Sequence, residues 1–130
     1  MRDVVNPGWS HFERFTFAPA VRSGNLLFVS GLTASSEQGE ILHPGDIVGQ
    51  TRCIFAKLGE ILAEAGASFD DVVFTRDYIT TTVGYRDSAV VRREVFGTTF
   101  PAATGVIVAG LLRPGALIEI DAVVELRDVA

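Results

Sequence analysis

Residues 46–65 read DIVGQTRCIFAKLGEILAEA, and this stretch decides the class of fold. Ile47, Thr51, Ile54, Leu58, Ile61 and Ala65 step by four and three, which places them on one stripe of an α-helix. Phe55 and Leu62 widen the stripe. Asp46 suits the N-cap, where its carboxylate accepts from a free backbone N–H, and Gly66 supplies the C-terminal stop. Gly59 weakens the interior by about 1 kcal/mol relative to alanine, which predicts a close neighbour at that point.

Extended segments flank this helix. Residues 1–14 are mixed and turn-rich and are expected to be irregular. Phe15 to Val21 reads as a short extended segment that Pro19 confines to an edge. After the Ser23-Gly24-Asn25 turn, Leu26 to Ser30 is a compact strand ending at Gly31, and residues 34–44 form a polar loop with a brief strand at Glu40 to Leu42. Asp71 to Thr80 is a strand with Val72, Phe74, Arg76 and Tyr78 on one face and Val73, Thr75, Asp77 and Ile79 on the other. A second helix covers Gly84 to Phe96, with Tyr85, Ala89, Arg92 and Phe96 on one side. Gly105 to Leu112 is a strand, Arg113-Pro114-Gly115-Ala116 a type II turn, and Leu117 to Leu126 the last strand. In that last strand Ile118, Ile120, Ala122, Val124 and Leu126 alternate with Leu117, Glu119, Asp121, Val123 and Glu125. The order β-β-α-β-α-β-β predicts a single α+β domain over residues 1–130, with both helices on one sheet face.

Two helices leave the other face bare. Yet Leu26 to Val29 and Val106 to Ala109 are apolar at odd and even positions alike, a pattern that normally means burial on both faces. Nothing else in the chain can supply the second cover, so homo-oligomerisation is expected.

Composition limits the function. The chain has 130 residues, 48% of them hydrophobic and 21% charged, which excludes a disordered or collagen-like polymer. A formal net charge of −5 argues against nucleic acid as a partner, because affinity for phosphates comes from cations. The start, Met1 to Pro7, has no apolar stretch of signal-peptide length, and the longest apolar run, 105–112, falls far short of the ~18 residues of a membrane span. A cytoplasmic protein without a membrane partner is the expectation. Cys53 is the single cysteine and cannot form an intrachain disulfide. His11 and His43 lack partners at metal-ligand spacing, so neither a metal nor a cofactor is expected. Arg86, Arg92 and Arg93 read as a solvated helix face or, alternatively, as a source of an anion-binding cation. Glu119 projects toward the bare face. Strand alternation alone makes it an ordinary outward carboxylate, but a neighbour closing that face would raise its pKa and suit it to proton transfer.

Several motifs resemble those of the Rid family, the reactive intermediate deaminases, also called YjgF-like proteins and formerly labelled endoribonucleases. They are residues 17–31, Gly45-Asp46 with Gln50-Thr51-Arg52, residues 65–73, Pro101-Ala102-Ala103-Thr104 and residues 113–120, in family order. The resemblance implies a chorismate mutase-like α+β fold assembled as a homotrimer, with a ligand cleft at each subunit boundary. It implies hydrolysis of imines or enamines such as 2-aminoacrylate to ketoacids and ammonia. In the family an arginine pairs with the substrate carboxylate, a glutamate positions or activates water, and a serine, a tyrosine and backbone groups shape the pocket. Carried over residue by residue, the glutamate is Glu119, the serine is Ser30, and Gly31 follows it. Three positions depart from the family: the arginine is Ala103, the tyrosine is Phe17, and the asparagine often found on the second helix is Ala89.

Losing a charge-assisted pair of about 1.5–3 kcal/mol should weaken a 2-imino acid by one to two powers of ten, so a standard 2-aminoacrylate deaminase is not expected. The expected site is Glu119 as catalyst with Phe17, Ser30, Gly31, Ala89, Arg92, Ala103 and Thr104 around a less anionic or larger substrate. Arg92 is the one candidate to substitute for the missing cation. The rival readings are a non-catalytic trimer that binds a small molecule or partner, and an endoribonuclease or translation inhibitor.

Overall fold

The computed structural model describes residues 2–127. Met1, included in the irregular N-terminal stretch expected above, lies outside them. Strands β1 (Arg2–Val5), β2 (Ala20–Ser23) and β3 (Leu26–Leu32) precede helix α1 (Ile47–Glu64). Strand β4 (Val72–Ile79), helix α2 (Ala89–Phe96) and strands β5 (Ala102–Ile107) and β6 (Ile118–Glu125) complete the chain. The six strands form one mixed sheet in the order β1-β2-β3-β6-β4-β5, with β4 and β5 parallel. The protein is therefore α+β.

The helix that decides the class forms as its residues dictate. Asp46 Oδ1 accepts from the Gly49 N–H at 2.9 Å, and Gly66 follows the helix at φ 72°. The stripe Ile47, Thr51, Ile54, Phe55, Leu58, Ile61 and Leu62 is buried. It packs on Leu27, Val29, Leu32, Ile79, Ile118, Ile120 and Val124 from the sheet. Burying a leucine or isoleucine side chain stabilises by about 1.5–3 kcal/mol, so this layer dominates the core. Above Gly59, an added Cβ would lie 3.5 Å from the Phe69 ring, which is ordinary contact. The neighbour is there, but it does not forbid a side chain.

Gln50 is a buried polar residue of α1 with every bond made. Its Nε2 donates to the carbonyls of His43 and Gly115 at 3.2 and 3.3 Å, and its Oε1 accepts from the Leu117 N–H at 2.8 Å. These bonds tie the helix start to the turn before β6. In that turn the Ala116 N–H donates to the Arg113 carbonyl at 3.1 Å and Gly115 takes φ 91°, as expected from the sequence.

Four expectations are corrected. The N-terminal residues are not irregular: β1 pairs antiparallel with β2 in the register Arg2↔Ser23 to Val5↔Ala20, and Ser10–Arg14 winds a 3-10 turn. Consequently β2 is not an edge, and Pro19 stands just outside it, its carbonyl accepting from the Ser30 N–H at 3.0 Å. Strand β5 begins at Ala102 and ends at Ile107, because it runs beside β4 from Phe74↔Ala102 to Ile79↔Ile107 and no strand among the described residues pairs with it beyond. In β4 the register shifts between Val72 and Phe74, so Val72 is buried with Thr75, Asp77 and Ile79 rather than opposite them.

The face away from the helices carries a continuous apolar row. Val4, Val21, Phe28, Val123, Phe74 and Ala102 are registered neighbours across all six strands. Phe28 is 49% exposed and Val4 60% exposed in the single chain. No helix of the described residues is long and apolar enough to cross a membrane.

Candidate functional site

Along β6 and β4, beside Val123 and Phe74 of the apolar row, the strand pattern turns polar. Asp121 and Glu119 alternate from β6 onto the open face, opposite Arg76 and Tyr78 of β4. The two acids differ in company. Asp121 accepts from Arg76 at 3.1 and 3.2 Å and from the Tyr78 hydroxyl at 3.0 Å. Glu119 takes part in none of the ion pairs among the described residues. Burial, and secondly the charge of Asp121, push the Glu119 carboxyl above its ordinary pKa.

A bulge in β3 brings backbone over that acid. The β3–β6 register shifts between Val29 and Leu32, and the irregular pair Ser30-Gly31 lies within the shift. A Cβ on Gly31 would stand 2.9 Å from the Glu119 carboxyl carbon, a separation that real side chains do not tolerate. The glycine leaves the Glu119 carboxyl room to lie where it does. Ser30 Oγ donates to the Ala18 carbonyl at 2.6 Å, which ties the bulge to the segment leading into β2.

Phe17, Ser30, Gly31 and Glu119 share one cleft of about 800 Å³. Its far wall is aromatic, built from Trp9, His11, Phe12, Phe15 and Phe17. Phe12 meets Phe15 edge-on at 5.0 Å between centroids and Phe17 at 5.6 Å, while Phe15 and Phe17 stack at 5.3 Å. Lys57 and Arg113 bring positive charge to the lining, and Glu37, Glu60 and Glu119 are its acids. Lys57 Nζ donates to the carbonyls of Thr33 and Ser35 at 2.8 and 2.7 Å, and burial lowers its pKa.

Four expected site residues do not reach this cleft within one chain. Ala103 pairs with Thr75, whose side chain is buried beneath the helices, whereas Thr104 pairs with Arg76 on the open face of the edge strand. Ala89 and Arg92 belong to α2, on the helix side of the sheet. Arg92 is not part of a solvated helix face either. Its Nη2 donates to Thr75 Oγ1 at 3.1 Å, its Nη1 lies 3.8 Å from Asp77 Oδ1, and its guanidinium sits over Phe96 and Phe55 at 5.3 and 5.7 Å. Packing on two rings and an ion pair holds it there, so it supplies no cation to the cleft of its own chain. Asp77 also accepts from the Tyr85 hydroxyl at 2.7 Å. Burial raises the Asp77 pKa, and burial with that hydrogen bond takes the Tyr85 hydroxyl to about 12.

The comparisons with known proteins agree with the geometry. The endoribonuclease L-PSP family model matches residues 13–126. The chain is 34% identical over 122 residues to the 3-aminoacrylate deaminase RutC of Acinetobacter baylyi, covering 94% of this chain and 96% of the relative. Among solved structures it resembles Rv2704 of Mycobacterium tuberculosis, described as a member of the YjgF/YER057c/UK114 family, with TM-score 0.81 and 33% identity. That match covers 97% of this chain and 100% of the other. The Rid protein YyfA of Yersinia pestis superposes with TM-score 0.87 at 25% identity, over 97% and 100% of the two chains. An α+β fold shared with these structures over nearly the whole chain defines the class of protein. The chain belongs to the Rid family, also known as the YjgF or endoribonuclease L-PSP family.

Proposed function

We propose that the chain is a hydrolase of imine or enamine bonds in a small metabolite, acting in clefts that copies of it complete as a homotrimer. The observation that carries this reading is Glu119: a half-buried carboxyl with a raised pKa, in no ion pair among the described residues, packed against Gly31 at the lining of an aromatic cleft. For an enamine, protonated Glu119 gives its proton to carbon and leaves an iminium. The resulting carboxylate then takes a proton from water as that water adds to the C=N bond. Glu119, protonated again, gives that proton to the amine of the carbinolamine, ammonia leaves, and the carboxylate takes up the hydroxyl proton as the carbonyl forms. The 34% identical relative carries the name of a deaminase that acts on an aminoacrylate, which is chemistry of this kind. In a trimer, β5 and α2 of a neighbouring copy, with Ala103, Thr104 and Ala89, would close the cleft.

Ala103 separates this chain from a standard 2-aminoacrylate deaminase, because the family's carboxylate-binding arginine is missing there. Ammonia release from a panel of imines should be measured for the native protein and for Glu119→Gln. Release that falls at least a hundredfold in the variant supports the role, and equal rates exclude it. The second reading, a non-catalytic binding trimer, is favoured by Phe17 and Ala103 replacing polar groups. Thermal stabilisation by ligands with no turnover of any imine would select it. An endoribonuclease role fits poorly with the acidic charge, and RNA left intact by a rigorously purified sample would remove it.

A further inference from the structure

Arg113 is the cation in the cleft whose guanidinium has no carboxylate partner among the described residues; their ion pairs engage Arg52, Arg76, Arg92 and Arg127. It lies against the aromatic wall. Its Cζ lies 5.6 Å from the centroid of the Phe15 ring, and on another side a Cβ at Gly39 would come within 2.7 Å of its Nη1. The turn that carries it is pinned by Gln50 through the Gly115 carbonyl and the Leu117 N–H. Lys57 is no competitor, since its ammonium is spent on two backbone carbonyls. Next to Arg113 runs the aromatic wall, where Phe17 is 54% exposed and offers an open ring.

A pre-positioned guanidinium beside a bare aromatic surface recognises two groups at once. We propose that the cleft selects a small carboxylate bearing an aromatic ring: the ring packs on the wall of Trp9, Phe12, Phe15 and Phe17, and the carboxylate pairs with Arg113. This rests on the cleft being the reaction site and adds the substrate class. Arg113 would offset the repulsion between such a carboxylate and Glu119, Glu37 and Glu60, a task Ala103 cannot perform.

Trp9 is the only tryptophan and lines the cleft, so its emission reports occupancy. The native protein should be titrated with 3-phenylpropanoate, with its neutral amide 3-phenylpropanamide, and with butanoate, which lacks the ring. Calorimetry should supply the affinities. The phenylpropanoate should bind about tenfold or more tighter than either analogue, the size expected of one charge-assisted pair or one buried ring. Arg113→Gln should bring it down to the level of the amide while amide binding stays unchanged, which also shows that the variant is folded. Arg113→Lys should recover only part, since a point charge replaces a planar fork. Butanoate matching phenylpropanoate overturns the aromatic half, and unchanged affinity in Arg113→Gln overturns the anionic half. Absence of binding by all three overturns both. Glu119→Gln should still bind phenylpropanoate, so failure of the hydrolytic reading would appear as missing ammonia with this ligand order intact.

Discussion

Glu119 carries its charge in a place that disfavours it. Its native pKa is raised by burial, so the stability linked to its protonation is fully present below the unfolded carboxyl's pKa and is lost as pH rises through the native value. Glu119→Gln should therefore melt higher than the native protein at pH 7–8. The gap should close toward about pH 4, where the unfolded carboxyl is itself largely protonated; a gap independent of pH would contradict the assignment. The buried Asp77 poses a related problem, relieved by the Tyr85 hydroxyl and Arg92. Tyr85→Phe removes the hydroxyl donor and should lower stability by about 1–3 kcal/mol, read by urea unfolding. Glu119 was legible in the sequence because strand alternation alone puts it opposite Ile118 and Ile120. Arg92 was not, because helical periodicity places a side chain on a face without saying that two rings and an aspartate wait beneath it. Arg113 read as a turn residue only, since what makes it a site is Phe15, nearly a hundred positions away.

At the scale of elements, the cleft depends on two local irregularities. The bulge in β3 sets Gly31 over Glu119, and because the neighbouring atoms belong to a flexible side chain, Gly31→Ala should displace the carboxyl rather than unfold the protein. Ammonia release should drop by about a hundredfold, the effect of misplacing a catalytic group by an ångström, while the melting temperature moves little. Gln50 joins α1 to the Arg113 turn. Gln50→Leu leaves the Leu117 N–H and the His43 and Gly115 carbonyls without these partners and should cost about 2–3 kcal/mol in chemical denaturation. Long, strongly patterned elements could be read in advance: the α1 stripe and the β6 alternation appear as expected. Short or irregular ones could not. Arg2 to Val5 has no period of its own and becomes a strand only because β2 lies alongside. The shift at Val73 reverses a face assignment that perfect alternation would have made. The apolar stretch 105–112 resembles one strand, yet only its first part has β4 for a partner.

Across the whole molecule, one sheet face is covered by helices and the other displays an apolar row six strands wide. Exposed contiguous apolar surface of that extent marks an interaction surface. Along β6 the same face continues from Val123 of the row to Asp121 and Glu119, so whatever covers the row comes close to the cleft. Phe28→Asp places a charge in the middle of the row while leaving the helix-facing core intact. If copies of the chain cover the row as proposed, the variant should sediment as a lone protomer with its secondary structure retained in circular dichroism, and activity should fall with the loss of the neighbour's contribution. The apolar runs already pointed to a missing cover, but the row itself depends on strand register, which no local pattern reveals.

The most direct test is the sedimentation of the native chain at micromolar concentration. Copies that shelter one another's open sheet face predict a single species of three protomers' mass that Phe28→Asp converts to one. A well-folded native protomer sedimenting alone at that concentration would contradict the account, leaving Glu119 at the rim of an ordinary wet surface.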